Sequence, residues 1–101
     1  MDVFENIKQW AHDRNLIKGA TPQAQMLKMT EEVGELAHAI ARKGNGMQLN
    51  NIKDAIGDCT VVLTILAAQC NLDYLDCVDG AYNEIKDRKG KMIDGVFVKE
   101  D

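Results

Sequence analysis

From Cys59 to Ala68 the chain reads Cys-Thr-Val-Val-Leu-Thr-Ile-Leu-Ala-Ala, a run that is apolar nearly all the way round once wound into a helix. Such a helix must be covered on several sides, so the remaining elements have to be arranged about it. Val61, Val62 and Ile65 are β-branched and would also suit a strand. The length of the segment and its flanks favour a helix, beginning near Asn50 or Asn51 and reaching Gln69 or Cys70. The centre of this helix is expected to be the most buried part of the fold.

The rest of the sequence supplies the cover. Asp2 is a candidate N-cap for a first helix running to about Arg14, with Val3, Phe4, Ile7, Trp10 and Ala11 on its apolar stripe. After a loop from Asn15 to Ala20, Thr21-Pro22 is a strong start for a second helix, because threonine caps exposed amides and proline fits the first helical position. That helix is expected to run to about Lys43, where Gly44-Asn45-Gly46 ends it. Asn71 or Asp73 can cap a fourth helix carrying Leu75, Val78, Ala81, Tyr82 and Ile85, with Gly90 as terminator. No β-rich partner segment is evident, so the class is all-α. The tail from Lys91 to Lys99 reads as an extended arm lying on a neighbouring helix or subunit.

With 101 residues the chain is expected to form one domain, spanning 1–101, whose small core would benefit from association with further copies. A formal net charge of −4 argues against a nucleic-acid backbone binder, which usually presents a basic stripe. No stretch is apolar and long enough to cross a bilayer, and the N-terminus lacks the order of a secretory signal. The expected location is therefore cytoplasmic, or the host cytoplasm if the chain is phage-encoded. Cys59, Cys70 and Cys77 form no close metal-binding pair and, being odd in number, fit poorly with a closed disulfide framework. They read as reduced and mostly core.

Two acidic clusters carry the chemistry. Glu31-Glu32-Val33-Gly34-Glu35 lies on the second helix and Asp54-Ala55-Ile56-Gly57-Asp58 on the third. Residues three and four apart share a helix face, so Glu31 and Glu32 can each neighbour Glu35, and Asp54 can neighbour Asp58. A Glu-Glu-x-x-Glu run alone is more often a solvated charged face. Two such faces on adjacent helices are different, because carboxylates gathered between packed helices repel strongly unless cations lie among them. Mg²⁺ fits the donor set, preferring oxygen ligands, keeping several waters and completing its shell with substrate phosphate. His12 and His38 stand apart from any ligand-spaced partner and read as surface or interface residues. Met26 and Met29 read as core packing, with a tolerant base site lined by their flexible thioethers as the alternative.

These residues resemble the MazG-like all-α nucleoside triphosphate pyrophosphohydrolases, in particular their short single-domain bacterial and phage members. The likeness rests on Gln9-Trp10-Ala11 with Arg14, on Gln25-Met26-Leu27-Lys28 before the first acidic cluster, on the Asp54-to-Asp58 cluster, and on Tyr82 through Gly90. It implies a four-helix bundle assembling as a homodimer or homotetramer, with a short extended C-terminal tail. It also implies Mg²⁺-dependent hydrolysis of a nucleoside triphosphate, often a deoxynucleotide, to the monophosphate and pyrophosphate by metal-activated water attacking the α-phosphorus. Mn²⁺ is expected to substitute. By the same resemblance Glu32, Glu35 and Asp58 are metal ligands, and Glu31 orients the attacking water. Many family members carry glutamate where this chain has Ala55, and Asp54, one residue earlier, is the nearest replacement ligand.

Lys28, Lys86, Arg88 and Lys91 are candidates to pair with phosphate oxygens, Asn83 to hydrogen-bond phosphate or sugar, and Trp10 to stack on the base or simply fill the first helix's core face. Nucleotide-pool control or house-cleaning would be the role. The alternatives are a dUTP-directed hydrolase of the same superfamily, a nucleotide-binding regulator with little turnover, and a helical module whose acids are merely solvated.

Overall fold

The computed structural model describes residues 2–41 and 48–100. The four expected helices are present: α1 (Val3–Asp13), α2 (Pro22–Ala41), α3 (Leu49–Gln69) and α4 (Tyr74–Ile85). They are followed by two short strands, β1 (Gly90–Ile93) and β2 (Val96–Lys99). The expected end of the second helix near Lys43 and its Gly44-Asn45-Gly46 terminator lie outside the described residues.

The caps explain where the helices begin. Asp2 accepts a hydrogen bond from the Glu5 amide at 2.9 Å, Thr21 Oγ1 from the Ala24 amide at 3.1 Å, and Asp73 from the Asp76 amide at 3.2 Å. Each satisfies an amide that has no partner within the first helical turn. α1 and α3 end alike. Asn15 and Asn71 adopt left-handed φ values of 58° and 59°, and the next residue donates back, Leu16 to the Ala11 carbonyl at 2.9 Å and Leu72 to the Ala67 carbonyl at 2.8 Å. Asparagine takes the place that glycine commonly fills in such reversals. Asp73, rather than Asn71, is therefore the α4 cap.

α3 is the central element, with α1 and α2 packed against it and α4 leaving its C-terminal end at a sharp angle, 104°. Cys59, Val62, Thr64, Ile65 and Ala67 of α3 are buried, which places the densest packing in the segment from Cys59 to Ala68. Ala11 of α1 and Ala39 of α2 are buried too, as is Ala55 of α3. These small side chains allow close helix approach. Thr64 is fully enclosed, and its hydroxyl donates to the Thr60 carbonyl at 2.7 Å, so the buried polar atom is satisfied within its own helix. At the far end Gln69 Nε2 donates to the Leu16 carbonyl at 2.9 Å and ties the loop after α1 to α3. Phe4 and Tyr74 rings lie 5.6 Å apart, and Lys8 bridges to Asp73 at 3.6 Å, joining α1 to the start of α4.

Three expectations need correction, the first being Met26, which is exposed on α2 rather than packed in the core. The tail is not a single extended arm but an antiparallel hairpin, with Ile93 opposite Val96 and Gly90 opposite Lys99. Asp94 and Gly95 form its turn with φ values of 50° and 81°, the left-handed pair required by the tight turn that matches strand twist. Gly90 is needed for closeness, since a Cβ there would run into the Val98 carbonyl oxygen and the Phe97 ring. The cysteines are all free, but only Cys59 is buried; Cys70 and Cys77 lie near the helix ends and are exposed.

One chain leaves much of its apolar surface open. Trp10, Val33, Ile40, Leu75, Tyr82 and Phe97 are all more than two-fifths exposed. The accessible surface is 7757 Å², against roughly 5,700 Å² for a globular monomer of this mass. The radius of gyration is 16.5 Å, against about 13 Å. Among the described residues no single helix is long and apolar enough to cross a membrane.

Candidate metal centre and substrate cleft

α2 and α3 run side by side and turn their acidic faces toward one another. Glu32 and Glu35 lie one turn apart on α2, Asp58 faces them from α3, and one donor oxygen from each falls within 4.8 Å of the others. Glu35 and Asp58 are exposed, whereas Glu32 is 6% exposed. A buried carboxylate needs compensation. Glu32 Oε1 receives it from Lys28 Nζ at 3.2 Å, but Oε2 is buried and has no hydrogen-bond partner. That orphaned oxygen, beside two further carboxylates, completes a group that could hold a metal ion. The all-oxygen donor set suits Mg²⁺ or Mn²⁺.

The electrostatics follow from this crowding. Lys28 is held above its ordinary pKa, first by its hydrogen bond to Glu32, then by the charges of Glu32 and Glu31, the latter 3.6 Å away. Cys59 lies close by on α3. Burial pushes its thiol up, and the negative charges of Glu32, Asp58 and Glu35 push the same way, so it is a protonated neighbour of the cluster rather than a nucleophile.

Beside Glu35 and Asp58 opens a cleft of about 700 Å³ lined also by Glu31, His38, Asn51 and Asp54, with Gly34, Ala39 and Ala55 between them and the buried Glu32 behind its wall. Ala55 is buried at the α2–α3 contact and leaves the α3 wall without a fourth carboxylate at that position. Asp54 lines the cleft but stands outside the close trio. His38 and Asn51 were missed by sequence reasoning. Their signal was periodic: His38 is one turn beyond Glu35, and Asn51 one turn before Asp54, on the same faces.

A second groove, between α1 and α3, also measures about 700 Å³ and shares Asp54 and Asp58 with the first. It passes Phe4, Lys53, Gly57 and Thr60 and continues past Val3, Ile7 and Val61 to a smaller apolar recess that ends at Asn6 and Trp10. The Arg14 guanidinium covers the Trp10 ring at 4.4 Å and donates to the Trp10 carbonyl at 3.1 Å.

The remaining candidates are not brought to this site within one chain. Asn83, Lys86 and Lys91 are exposed on α4, its C-cap and β1, and none lines the carboxylate cleft. Arg88 lines a separate cavity with Glu84, Asp87, Lys89, Lys99 and Glu100.

Comparison with known proteins gives this arrangement a family. The Haemophilus phage HP1 protein described as an uncharacterized 18.2 kDa protein in the rep-hol intergenic region is 48% identical over 71 residues, covering 70% of this chain. The chain spans 41% of that relative's length. The model of the MazG nucleotide pyrophosphohydrolase domain matches residues 20–93, which contain both acidic helices, α4 and β1. The chain therefore belongs to the MazG nucleotide pyrophosphohydrolase family.

Proposed function

We propose that the protein hydrolyses a nucleoside triphosphate, with deoxynucleotides the favoured class, to the monophosphate and pyrophosphate in a Mg²⁺-dependent reaction. The observation that carries this reading is the orphaned, buried Glu32 Oε2 within a trio of carboxylates. Glu32, Glu35 and Asp58 would hold the ion, with Asp54 flanking it. Once bound, it supplies neutralisation of the triphosphate and acidifies a water. The chain's own groups do the rest. Glu31, exposed at the cleft, orients the water and accepts its proton on a carboxylate oxygen. Lys28 stands beside it as a cation for a phosphate oxygen. Because Asp54 and Asp58 also border the α1–α3 groove, a phosphate chain over the carboxylates leaves the nucleoside a path toward Trp10.

Residues 1–101 act as one domain in this reading, in the cytoplasm or that of a phage host, with neither nucleic-acid polymer nor membrane as partner. The working form is a homo-oligomer. The surface excess of about 2,000 Å² per chain is of the size that obligate dimers bury. Asn83, Lys86, Arg88 and Lys91, remote from the cleft in their own chain, would reach the cleft of a neighbouring copy.

The test is pyrophosphate release from each common NTP and dNTP, dUTP included, with Mg²⁺ and with the ion chelated. Release of orthophosphate instead, or release independent of divalent metal, would refute the proposal. Ala55 favours one second reading, a nucleotide binder with weak turnover, and tight nucleotide binding without pyrophosphate would select it.

A further inference from the structure

Glu32 faces two cations with one carboxylate. Its Oε1 accepts from Lys28 Nζ at 3.2 Å, while the buried Oε2 has no hydrogen-bond partner and is open to a second cation. The two partners are held very differently. The Glu32 side chain is 7% exposed and fixed by packing, whereas that of Lys28 is 54% exposed on a flexible stem. A dication seated between Oε2, Glu35 and Asp58 would bring twice the ammonium's charge to within a few ångströms of it. The repulsion acts on the one participant that is free to move.

We infer that Lys28 is a displaceable counter-cation. It neutralises Glu32 when no ion is bound, is expelled from that carboxylate by the arriving metal, and is left beside the exposed Glu31 alone, from which its flexible stem can turn to the nucleotide's phosphate chain. This rests on the metal-dependent reading above and adds an order of assembly to it. Without the ion, a triphosphate meets a cluster of carboxylates whose nearest lysine is already engaged by Glu32 and lies 3.6 Å from Glu31. With the ion in place, the same approach meets a dication and a released lysine. Lys28 is thus a positioning residue for Glu32 in the free protein and a phosphate ligand in the loaded one.

The test is reductive methylation of the full chain, followed at the Lys28 peptide by mass spectrometry, with and without Mg²⁺ and in the absence of nucleotide. Mg²⁺ should accelerate Lys28 labelling about two- to fivefold, the range expected for releasing a half-exposed ion pair. Lys8, paired with Glu5 at 3.0 Å on α1, is the internal control and should not respond. In Glu32→Gln, Lys28 should label fast with or without the ion. Lys28→Met should bind Mg²⁺ about two- to fivefold more tightly in a thermal-shift titration, yet bind a non-hydrolysable triphosphate analogue more weakly. Lys28 labelling that ignores Mg²⁺ at concentrations that stabilise the fold would overturn the inference alone, as would weaker Mg²⁺ binding by Lys28→Met. Absence of any stabilisation by Mg²⁺ would remove the metal-dependent reading and this inference with it.

Discussion

Replacing Glu32 by glutamine keeps the shape of the side chain and removes its charge, which makes it the sharpest test of the carboxylate trio. The trio's donor oxygens lie within 4.8 Å of one another. Two unit charges at that separation repel by about 0.9 kcal/mol under water-like screening and by about 3.5 kcal/mol at an effective dielectric of 20. Glu32 takes part in two such pairs, so the substitution removes roughly 2–7 kcal/mol of gross repulsion. Exposure of Glu35 and Asp58 moves the sum toward the lower figure, and the attraction of Lys28 that is lost offsets part of the gain. With the Lys28 attraction at 3.2 Å subtracted under the same screening, a net stabilisation of about 0.4–1.7 kcal/mol of the metal-free protein remains, at about 4–8 °C in melting temperature for each kcal/mol. The opposite should hold with metal. Mg²⁺ should raise the melting temperature of the native protein but scarcely that of the variant, and pyrophosphate release should fall by roughly two orders of magnitude or more. Calorimetry with and without Mg²⁺ reads both effects. A metal-free melting temperature that drops, combined with stabilisation by Mg²⁺ equal to that of the native chain, would refute the placement of the ion on Glu32.

Ala55→Glu should restore a fourth carboxylate to the α3 wall, tightening Mg²⁺ binding while lowering the melting temperature of the metal-free protein; an unchanged Mg²⁺ titration would count against it. Asp54→Ala should weaken Mg²⁺ binding less than Asp58→Ala, because Asp54 lines the cleft outside the trio, and equal losses would place Asp54 in the inner set. At pH 8 a thiol reagent should modify Cys70 and Cys77 but not Cys59, whose raised pKa leaves little thiolate until the fold opens; prompt labelling of all three would contradict that. Light scattering at micromolar concentration should give a mass of two or four chains, and a fully active monomer would exclude the shared cleft.

How far the sequence could be read depended on whether its signals were local. The apolar run from Cys59 to Ala68 announced the central helix, and Asp2, Thr21 and Asp73 announced helix starts, because caps and periodicity act within a turn or two of the chain. The hairpin was equally local, yet missed. Asp94-Gly95 between short apolar stretches is a strong turn signal, but four-residue strands are too short to show alternation convincingly. At the site, the spacing of Glu32, Glu35 and Asp58 put them on facing helix sides, but it did not single out Glu32 as the buried member. That depends on how deeply α2 sinks against α3 at small residues such as Ala39 and Ala55, a tertiary property. The scattered positions of Asn83, Lys86, Arg88 and Lys91 depend on the sharp departure of α4 from α3, and no local pattern encodes an interhelical angle.

Asp54 and Asp58 form a wall common to two clefts, one holding the acids of α2 and the other leading to Trp10. A wall with two faces makes the occupants thermodynamically reciprocal. If filling the groove beside α1 changes the affinity for the ion by some factor, the ion must change the affinity for whatever fills that groove by the same factor. Nucleobase choice and metal choice would then be one property measured from two sides. Selectivity among bases would vary with the divalent ion supplied, and substitutions at Gly57 or Val61, which touch no proposed ligand oxygen, would register in the metal titration.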